Sequence, residues 1–328
     1  MKLSKIFALL LALCLISSAA CAATFTDAHG NVIELDDSLE AYAAVTLVGA
    51  DNAARQGETS LGDLWADALR WFAVSGEINA AFDEDDVKAG TDRIAVDADH
   101  VVALWNGGNL RADIAEGTFG AEALAEVLPF PNKVAVVYMT GAQLLETLEA
   151  ASQGLPYTAE TADACASLMQ VSGLTYTINA DIPSSVVKND KSEFVKVDGA
   201  YRVSDIMVGG QPLDVNKTYT LASHNYMLKD AGDGYTMFGT KNVKLLKDGV
   251  MIDNQVLINY IVNNLGGVVG EQYAAPQGRI TIKTAASDVP TNESDKVIAG
   301  RDTTVTEGDT YTVVAGDCLW NIAYKLYG

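Results

Sequence analysis

Apolar residues recur at helical spacing in three stretches. In ETSLGDLWADALRWFAVS (58–75), Leu61, Leu64, Trp65, Ala68, Leu69 and Phe72 fall on one face, with Asp63, Asp67 and Arg70 on the other; this predicts an amphipathic helix. TGAQLLETLEAASQG (140–154) repeats the pattern with Leu144, Leu145 and Leu148 behind Thr140 and Gln143, which fit a capping box. In DNQVLINYIVNNLGG (253–267), the stripe of Val256, Leu257, Tyr260 and Ile261 lies between a capping Asp253 and a terminating Gly266. Strands are predicted at 101–105, 134–139, 173–179, 217–223 and 279–283. VAVVYM is apolar on both faces, so its sheet should be covered on both sides by helices or a second sheet. Alternating apolar residues around His29-Gly30-Asn31 suggest a short hairpin at 23–45.

Helical and strand patterns alternate without a long break over residues 46–284, which read as one layered, mixed α/β domain. Composition then turns polar and small at 285–310, a linker, and is patterned again at 311–328. The N-terminus places Lys2 and Lys5 before an apolar run from Ile6 to Ile16 and small residues through Ala22. It reads as a secretory signal, residues 1–22, cleaved after Ala22. The run is too short for a membrane anchor, which needs about 20 apolar residues. Acylation of Cys21 is disfavoured because Ser18 sits where lipoprotein signals usually carry leucine. Loss of the signal leaves Cys165 and Cys318, one pair between distant segments and no disulfide framework.

Of the 328 residues, 43 are acidic and 22 basic, a formal net charge of −21. Such a surface argues against nucleic acid or an anionic membrane as partner. Against that charge the stretch LWNGGNLRADI (104–114) stands out. Gly107 and Gly108 allow close approach, Asn106 and Asn109 offer amides, and Arg111 supplies a planar cationic fork. On spacing alone it reads equally as a structural turn with a solvated arginine or as a binding loop. Neither a P-loop nor a GxGxxG fingerprint is present.

NGGNLRADI, followed by LPF (128–130) and NKVAVVYMTGAQLLETLE, resembles the C-terminal domain of the secreted 5′-nucleotidase and UDP-sugar hydrolase family. The resemblance extends upstream to RQGETSLGDLWADA (55–68) and downstream to LMQVSGLTYTIN (168–179) and KTYTLASHNYMLKDAGDGYTMF (217–238), about 240 residues from Thr46 to Thr284. It implies an α+β fold of layered α/β/β/α type that grips the nucleoside half of a nucleotide. Carried over by motif, Phe130 and Tyr226 would stack on the base, with Tyr226 where the family usually has phenylalanine. Asp233 of AGDGY would accept from ribose hydroxyls. Arg55 and Arg111 would face phosphate, and Asn106, in a loop opened by Gly107 and Gly108, would bond base or sugar.

The family's chemistry belongs to a separate N-terminal metallophosphatase domain with two metal ions. His29, His100 and His224 are the only histidines and cannot supply that site, and Asp27 and His29 of TDAHG are read as hairpin residues despite resembling its first motif. No catalytic residue, metal ligand or cofactor is therefore expected on this chain. YTVVAGDCLWNIAYKLYG (311–328) resembles the first half of a LysM module, which in complete form binds peptidoglycan-type glycans. The leading expectation is the recognition domain of a secreted or wall-associated hydrolase, acting with a separately made metallophosphatase domain or belonging to a longer enzyme. The alternatives are a non-catalytic surface nucleoside- or nucleotide-binding protein, or a wall module with a vestigial pocket.

Overall fold

Every residue of the strand Val101–Asn106 is buried. Val101, Ala103 and Trp105 enter one apolar core and Val102 and Leu104 another, as the two-residue period of a strand requires. Val134 and Val136 join the first core, Ala135, Val137 and Met139 the second. The sheet read as apolar on both faces is packed on both.

The computed structural model describes residues 23–26, 32–35, 41–50, 52–80, 94, 97–130 and 132–284. In chain order its strands are β1 (Ala23–Thr26), β2 (Val32–Leu35), β3 (Ala41–Ala43), β4 (Val101–Asn106), β5 (Gly117–Phe119), β6 (Val134–Thr140), β7 (Met169–Ser172) and β8 (Leu174–Asn179). There follow β9 (Val186–Lys188), β10 (Phe194–Val197), β11 (Val203–Val208), β12 (Gln211–Pro212), β13 (Thr218–His224), β14 (Lys244–Lys247), β15 (Val268–Val269) and β16 (Ile280–Lys283). Helices of seven or more residues are α1 (Ser60–Val74), α2 (Ala121–Val127), α3 (Gly141–Ser152) and α4 (Asp253–Asn259).

The central sheet runs β14-β6-β13-β4-β7. Within it β13 and β4 are parallel, whereas β13–β6, β14–β6 and β4–β7 are antiparallel. One face carries α1, α2 and α4; the other carries α3 and a second sheet, β12-β11-β8-β16. The outcome is an α+β, layered mixed fold. β3 pairs with β5 and β15, so residues upstream of Thr46 are woven into it. β1 and β2 pair antiparallel. The secretory signal, Asp27, His29, the linker, the half LysM module and Cys318 lie outside the described residues. Residues 283–328 form a separate unit that falls almost wholly outside them as well. Cys165 is a buried free thiol.

Thr140 and Gln143 form the capping box read from the sequence, and Gly266 ends the helical run that starts at Asp253 with φ +67°. One expectation is corrected. Asp253 is the first helical residue rather than the cap: it is fully buried, its Oδ1 accepts from Asn254 N at 2.8 Å, and burial pushes its carboxyl well above the usual range. The polar face of α1 packs within the domain. Asp63 is fully buried and accepts from Gln277 N at 2.9 Å, while Asp67 accepts from Ser172, Tyr273 and Arg279 at 2.6, 2.9 and 2.7 Å. These aspartates tie α1 to the segment that leads into β16; periodicity reports which side of a helix is polar, not what that side meets.

Candidate functional site

β4 and β13 run parallel with Ala103 opposite Ala222, so their C-terminal ends emerge side by side at one edge of the sheet. Open α/β sheets place ligand crevices at such ends. β4 delivers Asn106 and the Gly107–Asn109 turn; β13 delivers His224 and then Tyr226 on the helical turn Asn225–Leu228. The Gly232–Gly234 turn supplies Asp233 in a left-handed conformation, φ 55°, a region where aspartate and asparagine are enriched among non-glycine residues.

These elements enclose a cleft of about 500 Å³ lined by Arg55, Asn106, Gly108, Asn109, Arg111, Phe130, Asn132, Ala166, Tyr226 and Asp233. Seven of the eight residues singled out in the sequence meet there. Gly107 does not line it. A Cβ on Gly107 would lie 2.0 Å from the carbonyl oxygen of Ala54, so this glycine lets the β4 loop press against the turn that carries Arg55.

A hydrogen-bond chain runs through the floor of the cleft. Asn106 Nδ2 donates to Asp233 Oδ2 at 3.1 Å, and Asn106 Oδ1 accepts from Asn109 Nδ2 at 2.8 Å and faces His224 Nε2 at 3.0 Å. The Tyr226 hydroxyl donates to Asp233 Oδ1 and accepts from Asp233 N, both at 3.3 Å. An ionised carboxylate only accepts, so the amide nitrogen of Asn106 must face Asp233. The Asn106 oxygen then faces His224, which must carry its proton on Nε2. His224 is buried, and burial pushes its pKa down from 6.5 to about 3, so the ring is neutral. It packs edge-on against Trp105 at 4.7 Å and parallel to Tyr226 at 6.0 Å, backing that exposed ring.

Two cations share the cleft. The guanidinium of Arg111 lies 5.5 Å from the centre of the Phe130 ring, within cation–π range. Arg55 donates to the carbonyl of Ala162 at 3.2 Å. Partial burial and then the charge of Arg55 push the Arg111 guanidinium below its ordinary value. Like charges held this way favour an anionic ligand. A second cleft, of about 560 Å³, is walled by Asp113, Glu116, Glu122 and Glu126, a charge that repels phosphate. Among the described residues no group of three His, Cys, Asp or Glu side chains is placed to share a metal ion.

Asn109, Asn132, Ala166 and the buried His224 were not singled out as site residues in the sequence. Asn109 and His224 carried a local signal, being within the NGGN run and two positions before Tyr226. Ala166 carried none; it arrives because its carbonyl accepts from Gly108 N at 2.9 Å.

The fold and cleft together define an α+β domain with a concave, partly aromatic and locally cationic pocket of small-molecule size. Residues 40–240 match the family described as 5′-nucleotidase, C-terminal domain. The chain belongs to that family. Cell wall protein Lmo0130 of Listeria monocytogenes is 28% identical over 232 residues, covering 70% of this chain and 24% of that protein. Trifunctional nucleotide phosphoesterase protein YfkN of Bacillus subtilis is 29% identical over 202 residues, covering 60% of this chain and 11% of that protein. The chain thus spans a quarter or less of these two relatives. The crystal structure of a 5′-nucleotidase precursor from Thermus thermophilus aligns with a TM-score of 0.49 at 27% identity, over 74% of this chain and 39% of that one.

Proposed function

We propose that this domain recognises the nucleoside half of a nucleotide, as the substrate-recognition part of a secreted or wall-associated 5′-nucleotidase-family hydrolase. The observation that carries the reading is the single cleft that gathers Phe130, Tyr226, Asp233, Asn106, Arg55 and Arg111. Phe130 and Tyr226 offer the two faces for a base. Tyr226 is 47% exposed, apolar area that a stacked base would cover at a gain of roughly 1–3 kcal/mol. Asp233 retains lone pairs for ribose hydroxyls beyond those used by Asn106 and Tyr226, and the crowded Arg55 and Arg111 draw the phosphorylated end.

Hydrolysis is assigned to a metallophosphatase domain outside this chain, whose metal pair would activate water. The secretory pattern at 1–22 and the likeness to a protein named as a cell wall protein support a place outside the cytoplasm. A completed LysM module would add attachment to peptidoglycan.

Calorimetric titration of adenosine and AMP tests the reading. Saturable binding is expected, weakened about tenfold or more by Phe130→Ala and by Tyr226→Ala. Absence of binding by both ligands sinks it. A phosphate-release assay with Mn²⁺ is expected to show no turnover by this chain alone; clear turnover would move the chemistry onto the chain.

A further inference from the structure

Beyond the Tyr226–Asp233 pair, a neighbouring cleft of about 410 Å³ shares Ala166, Tyr226 and Asp233 with the nucleoside cleft. The two clefts adjoin at the residues proposed to hold base and ribose. On the far side the walls of the neighbouring cleft include Lys188, Lys191, Ser167 and Ser192, and also the carboxyl-bearing Asp163.

Both lysines are exposed, on backbone that is held in place. They sit on the hairpin of β9 and β10, whose turn is tied by Asn189: its Oδ1 accepts from Lys191 N and Glu193 N, each at 3.0 Å, and its Nδ2 donates to Glu193 at 2.7 Å. The hairpin tip is seated on the loop of Asp233, since a Cβ on Gly234 would lie 2.6 Å from the carbonyl oxygen of Ser192. Within the described residues neither lysine forms an ion pair, in a chain with 43 acidic and 22 basic residues. Partial burial pushes the Lys188 ammonium down, and the charge of Asp233 partly offsets this.

Charge along the clefts therefore runs from Arg55 and Arg111, through Asp233, to Lys188 and Lys191, where two ammonium groups outnumber the one carboxyl of Asp163. A ligand that satisfies it carries an anion at each end and a hydrogen-bond donor between them. Resting on the nucleoside reading above, we propose that the adjoining clefts bind nucleotides with a second phosphate on the ribose, nucleoside 3′,5′-bisphosphates being the class that fits. The 5′-phosphate faces the arginines and the free 2′-hydroxyl donates to Asp233. The adjacent 3′-phosphate reaches the two ammonium groups and the serine hydroxyls, which together offer the several donors that a tetrahedral oxyanion accepts.

The test is calorimetry on the full chain with AMP, ADP and adenosine 3′,5′-bisphosphate. The bisphosphate is expected to bind roughly five- to tenfold tighter than AMP, and the double substitution Lys188→Gln, Lys191→Gln to bring that ratio close to one. The ratio of ADP to AMP is expected to stay the same in the double variant, because the extra phosphate of ADP extends from the arginine end. Equal affinity for AMP and the bisphosphate, or a preference that survives the double substitution, overturns the inference and leaves the nucleoside reading standing. An ADP ratio that falls with the bisphosphate ratio overturns it too, by showing general charge attraction. If neither adenosine nor AMP binds, both readings fall.

Discussion

Asn106 donates its side-chain amide to Asp233 at 3.1 Å, although 127 positions separate the two in the chain. This bond orients the whole floor of the cleft: it turns the Asn106 oxygen toward His224 and Asn109 and leaves Asp233 open toward the cleft. The arrangement is set before any ligand arrives, which lowers the ordering cost of binding.

Asp233→Asn tests the acceptor role. Asparagine tolerates the left-handed backbone at φ 55°, and its amide can face the Tyr226 hydroxyl while its oxygen still accepts from Asn106. The fold is expected to stay intact. Adenosine affinity should fall roughly tenfold or more, the loss of a hydrogen bond to a charged group. Binding of 2′,3′-dideoxyadenosine should be nearly unchanged, and an equal loss for both ligands in calorimetry would refute the role.

His224 imposes a pH dependence on stability. Its folded pKa, about 3 because of burial, lies below the ordinary 6.5, so the unfolded chain binds the extra proton first. The contribution is complete above about pH 6.5 and is lost as pH falls toward 3, at up to about 1.4 kcal/mol per pH unit. His224→Gln can still donate to Asn106 but does not titrate. Urea unfolding between pH 7.5 and 4 should show wild type losing stability faster than the variant, other groups cancelling in the difference; parallel curves would contradict it.

Gly232 makes room for the Tyr226 ring. A Cβ there would sit 2.3 Å from Tyr226 Cε1, so Gly232→Ala must displace the ring. The substitution should weaken adenosine binding about as much as Tyr226→Ala, and should cost little further in a Tyr226→Ala background. Additive losses in that double-mutant cycle would show that the two residues act separately.

Asp63 works in the opposite pH direction. Burial, reinforced by Glu58 and opposed by Arg279, pushes its pKa up to about 8 from 3.8, so the folded state holds the proton. That stability is fully present below about pH 3.8 and lost as pH rises through 8. Asp63→Asn imitates the protonated carboxyl. Denaturant unfolding at pH 6 and 9 should show a smaller decline for the variant than for wild type; an equal decline would mean that Asp63 does not titrate in this range.

Which stretches form helices and the main strands was legible because burial of one face imposes a period, and the capping box at Thr140 and Gln143 is a local hydrogen-bond pattern. The role of Asp63 and Asp67 was not legible, because their partners lie more than a hundred or two hundred positions away at Ser172, Tyr273, Gln277 and Arg279. Asp253 was misread as a cap for a related reason: a carboxyl at a helix start is usually exposed, and only packing reveals that this one is enclosed.

By itself the sequence determined the period of its elements and the turn residues, since these depend on neighbours within a few positions, and its motifs carried the family resemblance. Tertiary structure decided which residues meet. The parallel pairing of β4 with β13 brings Asn106 to His224 and Tyr226. Gly107, by contrast, is turned to support the backbone under Arg55. The seating of the β9–β10 hairpin on the Asp233 loop sets two lysines beside a cleft that their local sequence does not mention. Contacts of that kind depend on chain segments that approach only when the cores close, and no local pattern encodes them.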